Sequence, residues 1–188
     1  MSAATSVTVP TLETERLVLR AFRAPDADAM TAFFADPISQ FYGGPLGADD
    51  AWRRFAMYPG HWFLRGYGPW AIELRATGEY LGLTGPWYPA GWIEPEITWA
   101  LVPGHHGQGY ATEAAAAALA ATYALFDWPT AVSVIATSNT ASIRVAERLG
   151  AVREREVMYR YGEAYLYRHR PPVLSRDRAG TRGHHHGG

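Results

Sequence analysis

The stretch from Glu96 to Phe126 leaves this chain few ways to fold. Glu96-Ile97-Thr98-Trp99-Ala100-Leu101-Val102 is a largely apolar run of strand length. It leads into Pro103-Gly104-His105-His106-Gly107-Gln108-Gly109-Tyr110-Ala111-Thr112-Glu113-Ala114 and then into an alanine-rich segment. Alanine is the best helix former, so a helix is predicted over 112–126. It is apolar nearly all round, as suits a helix packed on a sheet. A strand that passes through two close glycines into a helix makes an anion site. The glycines let the backbone approach a ligand, and the first helical turn presents N–H groups with no partner inside the helix. The helix dipole adds roughly half a positive charge at that end. The expected ligand group is a phosphate or pyrophosphate. Taken alone, Gly-x-Gly before a helix fits a plain tight turn equally well.

Two standard phosphate loops are excluded by residues. Gly-x-x-x-x-Gly-Lys-Ser/Thr is absent, and the chain has no lysine at all. The dinucleotide pattern would need a third glycine where Thr112 stands, and its unit would open the fold rather than follow its middle.

The chain of 188 residues is long enough for one domain with a sizeable core. A net charge of −1 gives no electrostatic footprint for nucleic acid. No apolar run approaches the roughly 20 residues of a membrane span, and Met1–Val7 lacks the basic start and apolar core of a secretory leader. Zero cysteines exclude disulfides, thiolate metal sites and a cysteine nucleophile. The expectation is a cytoplasmic protein without nucleic-acid or membrane partners and without a bound metal.

Taken in order, Glu15–Phe22 alternates as a first strand. Pro25 and Asp26 open a helix with Met30, Phe33 and Phe34 on one face, ended by Asp36-Pro37. Residues 38–48 read as a loop, and a short second helix starts at Asp49 or Asp50. Strands over 69–74 and 80–84 form a hairpin, 86–91 a turn, and 92–102 a strand interrupted at Pro95. Val132–Ala136 is a short central strand. Asn139 begins a helix that Gly150 closes. Strands over 152–160 and 164–170 form a last hairpin. One α+β domain over 11–170 is expected, with flexible termini at 1–10 and 171–188. His184-His185-His186 near the end fits a tail or purification handle better than a metal site.

Three segments in order carry a resemblance. They are Thr14-Glu15-Arg16-Leu17-Val18-Leu19-Arg20, Gly107-Gln108-Gly109-Tyr110-Ala111-Thr112-Glu113-Ala114, and Asn139-Thr140-Ala141-Ser142-Ile143-Arg144-Val145-Ala146-Glu147-Arg148-Leu149-Gly150-Ala151. Together they resemble the GCN5-related N-acetyltransferases (GNAT), in the branch that acetylates the N-termini of ribosomal proteins. The resemblance implies a mixed, mostly antiparallel sheet of six or seven strands with about four helices. It also implies that the strand ending at Val102 and the strand from Val132 splay apart. Acetyl-CoA would lie in that gap, its pantetheine pairing with Leu101 and Val102. Its pyrophosphate would sit on amides of His106, Gly107, Gln108, Gly109, Tyr110 and Ala111. The family's fuller loop pattern starts with Gln or Arg three residues before the first glycine, where this chain has Gly104. His105 and His106 fit either a phosphate contact or a solvated loop.

The implied function is acetyl transfer from acetyl-CoA to a primary amine, by direct attack in a ternary complex. The acceptor is left open between a protein N-terminus and a small-molecule amine. A homodimer is the assembly the family admits. The other reading is a non-catalytic acyl-CoA-binding sensor or scaffold. An α-amine has a pKa near 8, so removing its proton at pH 7 is a modest task. Glu96 is the candidate base: burial beside Trp92 and Trp99 would raise its pKa toward the working range. The same residue also fits a rim position paired with an arginine, and Pro95 leaves the facing of Glu94 uncertain. Asn139 suits a helix N-cap and, by the resemblance, a pantetheine contact. Ser142 is the candidate donor to the departing sulfur, because the family's usual tyrosine four residues on is Ala146 here.

Overall fold

A computed structural model describes residues 7–160 and 162–171. In chain order its strands are β1 (Leu12–Glu13), β2 (Leu17–Arg20), β3 (Trp70–Leu74), β4 (Tyr80–Trp87), β5 (Glu96–Leu101), β6 (Ala131–Ala136), β7 (Val152–Tyr159) and β8 (Gly162–His169). The helices are α1 (Asp26–Ala35), α2 (Ala48–Arg65), α3 (Tyr110–Phe126) and α4 (Thr140–Arg148), with a 3-10 helix over Pro37–Tyr42. All strands join one sheet in the order β1-β2-β3-β4-β5-β6-β8-β7. Neighbours are antiparallel except β5 and β6, which run parallel and share the single register pair Glu96↔Val132.

That exception makes the site. At the fork, the Val132 N–H donates to the Pro95 carbonyl at 2.9 Å. The Ser133 hydroxyl donates to the Ile97 carbonyl at 2.7 Å. Since Ser133 spends its only hydrogen there, the buried His169 Nε2, 2.9 Å away, must be the donor to Ser133 Oγ. Burial lowers His169 to about 4, which keeps it neutral. Past this knot the strands part.

The core has two layers. Met30, Phe33, Phe34, Phe55 and Tyr58 of α1 and α2 pack on one face of the sheet with Leu83, Ala100 and Val102. Ala114, Ala115 and Ala118 of α3 pack on the other with Ile97, Trp99 and Leu101. Central β5 is thus buried on both faces, which is why it reads as a continuous apolar run. Its β4 neighbour comes so close at Gly82 that a Cβ there would lie 2.1 Å from the Ala100 carbonyl oxygen.

The structure corrects several boundaries. The sheet has eight strands rather than six or seven. Leu12–Glu13 is too short to show periodicity, yet Leu12 pairs with Leu19. Residues 37–42 are not loop: Asp36 Oδ1 accepts the Ile38 N–H at 2.8 Å and caps a 3-10 helix. Helix α2 is 18 residues long and passes through Pro59, because Phe55, Tyr58 and Trp62 keep one buried face across it. β4 continues to Trp87 where a turn was expected. Pro86 pairs with Ile97, and its missing N–H points to the side where β3 has already ended at Trp70. β5 begins at Glu96, leaving Trp92 in the loop before it. The tail histidines His184–His186 lie outside the described residues.

Candidate active site

The glycine loop is open and its helix end is bare. Gly107 and Gly109 have φ of 79° and 82°, a left-handed region that favours glycine. A Cβ built on Gly107 would meet nothing within 4 Å. Helix α3 starts at Tyr110, and its first internal bond is the Glu113 N–H to the Gly109 carbonyl at 3.1 Å. The amides of Tyr110, Ala111 and Thr112 therefore have no partner within the helix. No side chain caps them. The Thr112 hydroxyl oxygen beside them is buried without a hydrogen bond. Open space, bare donors and a net positive helix end suit an anionic group.

This loop is stapled from behind by the start of β2. Thr14 Oγ1 and the Arg16 N–H donate to Glu113 Oε1 at 2.6 and 2.9 Å, and Arg16 Nε donates to Oε2 at 2.7 Å. Arg16 Nη1 also donates to the Gln108 carbonyl at 2.9 Å, and its guanidinium lies 4.6 Å from the Tyr110 ring centre. Burial pushes the Glu113 carboxyl up, but the bonds from Thr14 and Arg16 outweigh it and hold the group below its ordinary value. Sequence reasoning placed Thr14–Arg20 and Glu113 in two separate motifs and missed that one holds the other. His105 Nε2 sits 3.3 Å from Glu79, while His106 and Gln108 are exposed at the loop.

The other half of the site is a cavity of about 240 Å³ in the fork between β5 and β6. Glu96, Ser133, Val134, Asn139 and Ser142 line it, with rings from the 3-10 helix, α2, β4, β5, β7 and the loop before β5. Glu96 shares strand parity with Ala100 and Val102, so it faces the α1–α2 layer. It is 6 % exposed. Trp92 Nε1 donates to its Oε2 at 2.5 Å, and the Val134 N–H donates to Oε1 at 3.3 Å. Burial raises its carboxyl to about 7 against the pull of those two bonds. The arginine-paired rim position belongs instead to Glu94, which binds Arg155 and Arg168 at 3.0 and 2.9 Å.

Opposite Glu96, Asn139 Oδ1 accepts the Ser142 N–H at 3.1 Å and caps α4. That bond sets the first turn of the helix so that Ser142 lines the cavity. The Tyr42 hydroxyl donates to the Trp99 carbonyl at 2.8 Å. Burial pushes its phenol up to about 12; a side-chain hydrogen bond with Ser142 lowers it and the Glu96 charge raises it. Tyr42, Ser142 and Glu96 thus converge from three elements, and nothing in the sequence links Tyr42 to Trp99. Along β5, the Ile97 and Trp99 carbonyls face the gap, so by alternation Leu101 does too. The Val102 amide is already given to the Leu81 carbonyl at 2.9 Å, which leaves Leu101 as the freer of the two expected contacts. Among the described residues, no three His, Asp or Glu side chains group as metal ligands would.

A family model for the acetyltransferase (GNAT) domain matches residues 16–152. The chain belongs to the GNAT acetyltransferases. Among relatives of this GNAT chain is the uncharacterized N-acetyltransferase YoaA of Bacillus subtilis (strain 168), 28% identical over 163 residues. That match spans 83% of this chain and 92% of the relative. An acetyltransferase from Agrobacterium tumefaciens str. C58 has a solved structure 34% identical to it, with TM-score 0.81, covering 90% of this chain and 99% of that one. RimL, a ribosomal L7/L12 α-N-protein acetyltransferase solved with coenzyme A, shares the fold at TM-score 0.69 and 18% identity, over 85% and 97% of the two chains. The family match runs from just before β2 to the first residue of β7 and so takes in the parted strands β5 and β6 and the glycine loop. No helix among the described residues is long and apolar enough to cross a membrane.

Proposed function

We propose that the protein transfers an acetyl group from acetyl-CoA to a primary amine by direct attack in a ternary complex. The observation that supports this best is Glu96, a buried carboxyl near pH 7 at the fork between the parted strands. Coenzyme A bound to RimL supports the choice of carrier. The bare amides from Tyr110 to Thr112 and the space before Gly107 fit a pyrophosphate, with His106, Gln108 and Gly109 in the same loop. Leu101, with Val102, offers strand edge to the pantetheine, and Asn139 offers its amide donors. Acetyl-CoA held there supplies an activated acetyl thioester.

The chain's own groups do the rest. Glu96, in its ionised form, takes the proton of the attacking amine, directly or through one water. The Ser142 hydroxyl, which otherwise donates to the Tyr42 oxygen because Tyr42 gives its own hydrogen to the Trp99 carbonyl, turns to donate a hydrogen bond to the departing sulfur. Holding both reactants in one cavity removes much of the entropic barrier. The domain unit for this activity is 11–170. Titration calorimetry with acetyl-CoA, against adenosine diphosphate as control, tests the carrier. Thiol release on adding amine tests the transfer; tight binding without release from any amine would make the protein a sensor instead.

A further inference from the structure

The cavity walls are specific enough to say what kind of amine they suit. Tyr58, Trp87, Trp92 and Tyr159 form an unbroken chain of ring contacts. Centroids are 5.5, 6.0 and 5.1 Å apart and planes are inclined at 60°, 88° and 74°. The third ring of that chain is the one that donates to Glu96. Among the described residues Glu96 is the sole carboxylate lining the cavity; the other charged groups there, Arg54 and Arg160, are cations.

Each feature selects. Ring faces attract one ammonium group and bury flat apolar surface. A second or third ammonium inside this cavity would be desolvated with no further carboxylate to meet it, near guanidinium groups, at high cost; Glu163 lies outside, in the adjoining pocket past Phe41 and Ala136. A peptide brings several backbone N–H and C=O groups that need partners. Ring faces supply none, the Ile97 and Trp99 carbonyls already accept from Ser133 and Tyr42, and Asn139 and Ser142 are assigned to acetyl-CoA in the proposed reaction. The volume, about 240 Å³, lies below the usual range for drug-sized ligands, roughly 300–1,000 Å³. It must also admit the reacting acetyl group.

From these walls we infer that the acceptor is a small amine on an aromatic or flat apolar body, with the amine as its only positive charge. This rests on the acetyl-transfer reading and narrows it. The test is the initial rate of thiol release from acetyl-CoA with four acceptors: 2-phenylethylamine, spermidine, an aminoglycoside, and a tetrapeptide starting with alanine. The expected result is a kcat/KM for 2-phenylethylamine at least about tenfold above the other three. Phe41→Ala, which removes a half-buried ring at the cavity edge, should raise KM for that amine about fivefold and leave KM for acetyl-CoA unchanged. A polyamine, aminoglycoside or peptide used as well or better would overturn the inference and keep the acetyl-transfer reading. So would binding of acetyl-CoA with no turnover of 2-phenylethylamine, or an unmoved amine KM in the variant. Failure to bind acetyl-CoA would overturn both.

Discussion

The two halves of the site are built on opposite principles. The glycine loop is exposed, made mostly of backbone, contiguous in sequence, and held by ion pairs on its outer side. The reaction cavity is buried, made of side chains, and assembled from residues as distant as Phe41 and Tyr159. In the loop, partial charges of unpaired amides act at the solvent boundary, so binding needs shape and access more than desolvation. In the cavity, desolvation lifts Glu96 to about 7, the range in which a carboxylate would serve as the proposed base. The two should therefore fail in different ways.

The largest expected effect is on the loop. Gly107→Glu puts a strained residue and a negative charge where the pyrophosphate would sit. Affinity for acetyl-CoA should fall beyond detection by calorimetry while circular dichroism stays that of the wild type. Unchanged affinity in the folded variant would remove the loop from the site.

Next comes Glu96→Gln, which should lower kcat roughly 10²–10⁴-fold with acetyl-CoA binding intact. In the wild type the base form is filled only as pH rises through about 7, so the rate should climb more steeply across pH 6–8 than in the variant, where only the neutral fraction of the amine still rises with pH. Stability should move the other way. A carboxyl raised from 4.5 to about 7 on folding is fully tolerated below pH 4.5. It costs increasing stability as pH rises to 7, and the full cost applies above. Glu96→Gln should thus be more stable than wild type at pH 8 by about 3 kcal/mol, and no more stable at pH 4. Denaturant melts at the two pH values check this, and equal shifts at both would refute the assignment.

Ser142→Ala should cost less, about tenfold in kcat, because a hydrogen bond to a thiolate is a smaller term than a missing base. No change would leave the sulfur without a donor from this chain. The smallest effect belongs to the staple. Arg16→Ala frees the Gln108 carbonyl and removes one of the three bonds to Glu113, since the Arg16 N–H is backbone and stays, so KM for acetyl-CoA should rise about threefold with kcat unchanged. The pair is partly exposed, and added salt should shrink the difference between variant and wild type.

The same contrast explains what could be read in advance. Strand, glycines and helix are neighbours in sequence, so the loop was visible as residues and spacing. Its staple was not, because Thr14 and Arg16 lie about a hundred residues from Glu113. Pro59 hid most of α2, since a proline in a helix is tolerated only where a buried face carries the helix past it. Glu96 and Glu94 looked alike. A loop ending at Pro95 sends one to surface arginines and puts the other under the Trp92 indole.

By itself, then, the sequence determined the loop, the apolar β5, the caps of α4 and the family to which they belong. Each depends on local propensity or on groups within a few residues of one another. Only the tertiary structure decided that Tyr42 meets Ser142 and the Trp99 carbonyl, that four rings join into a wall, and that Glu96 is dry. Burial and convergence depend on what distant segments pack against, and no local pattern encodes them.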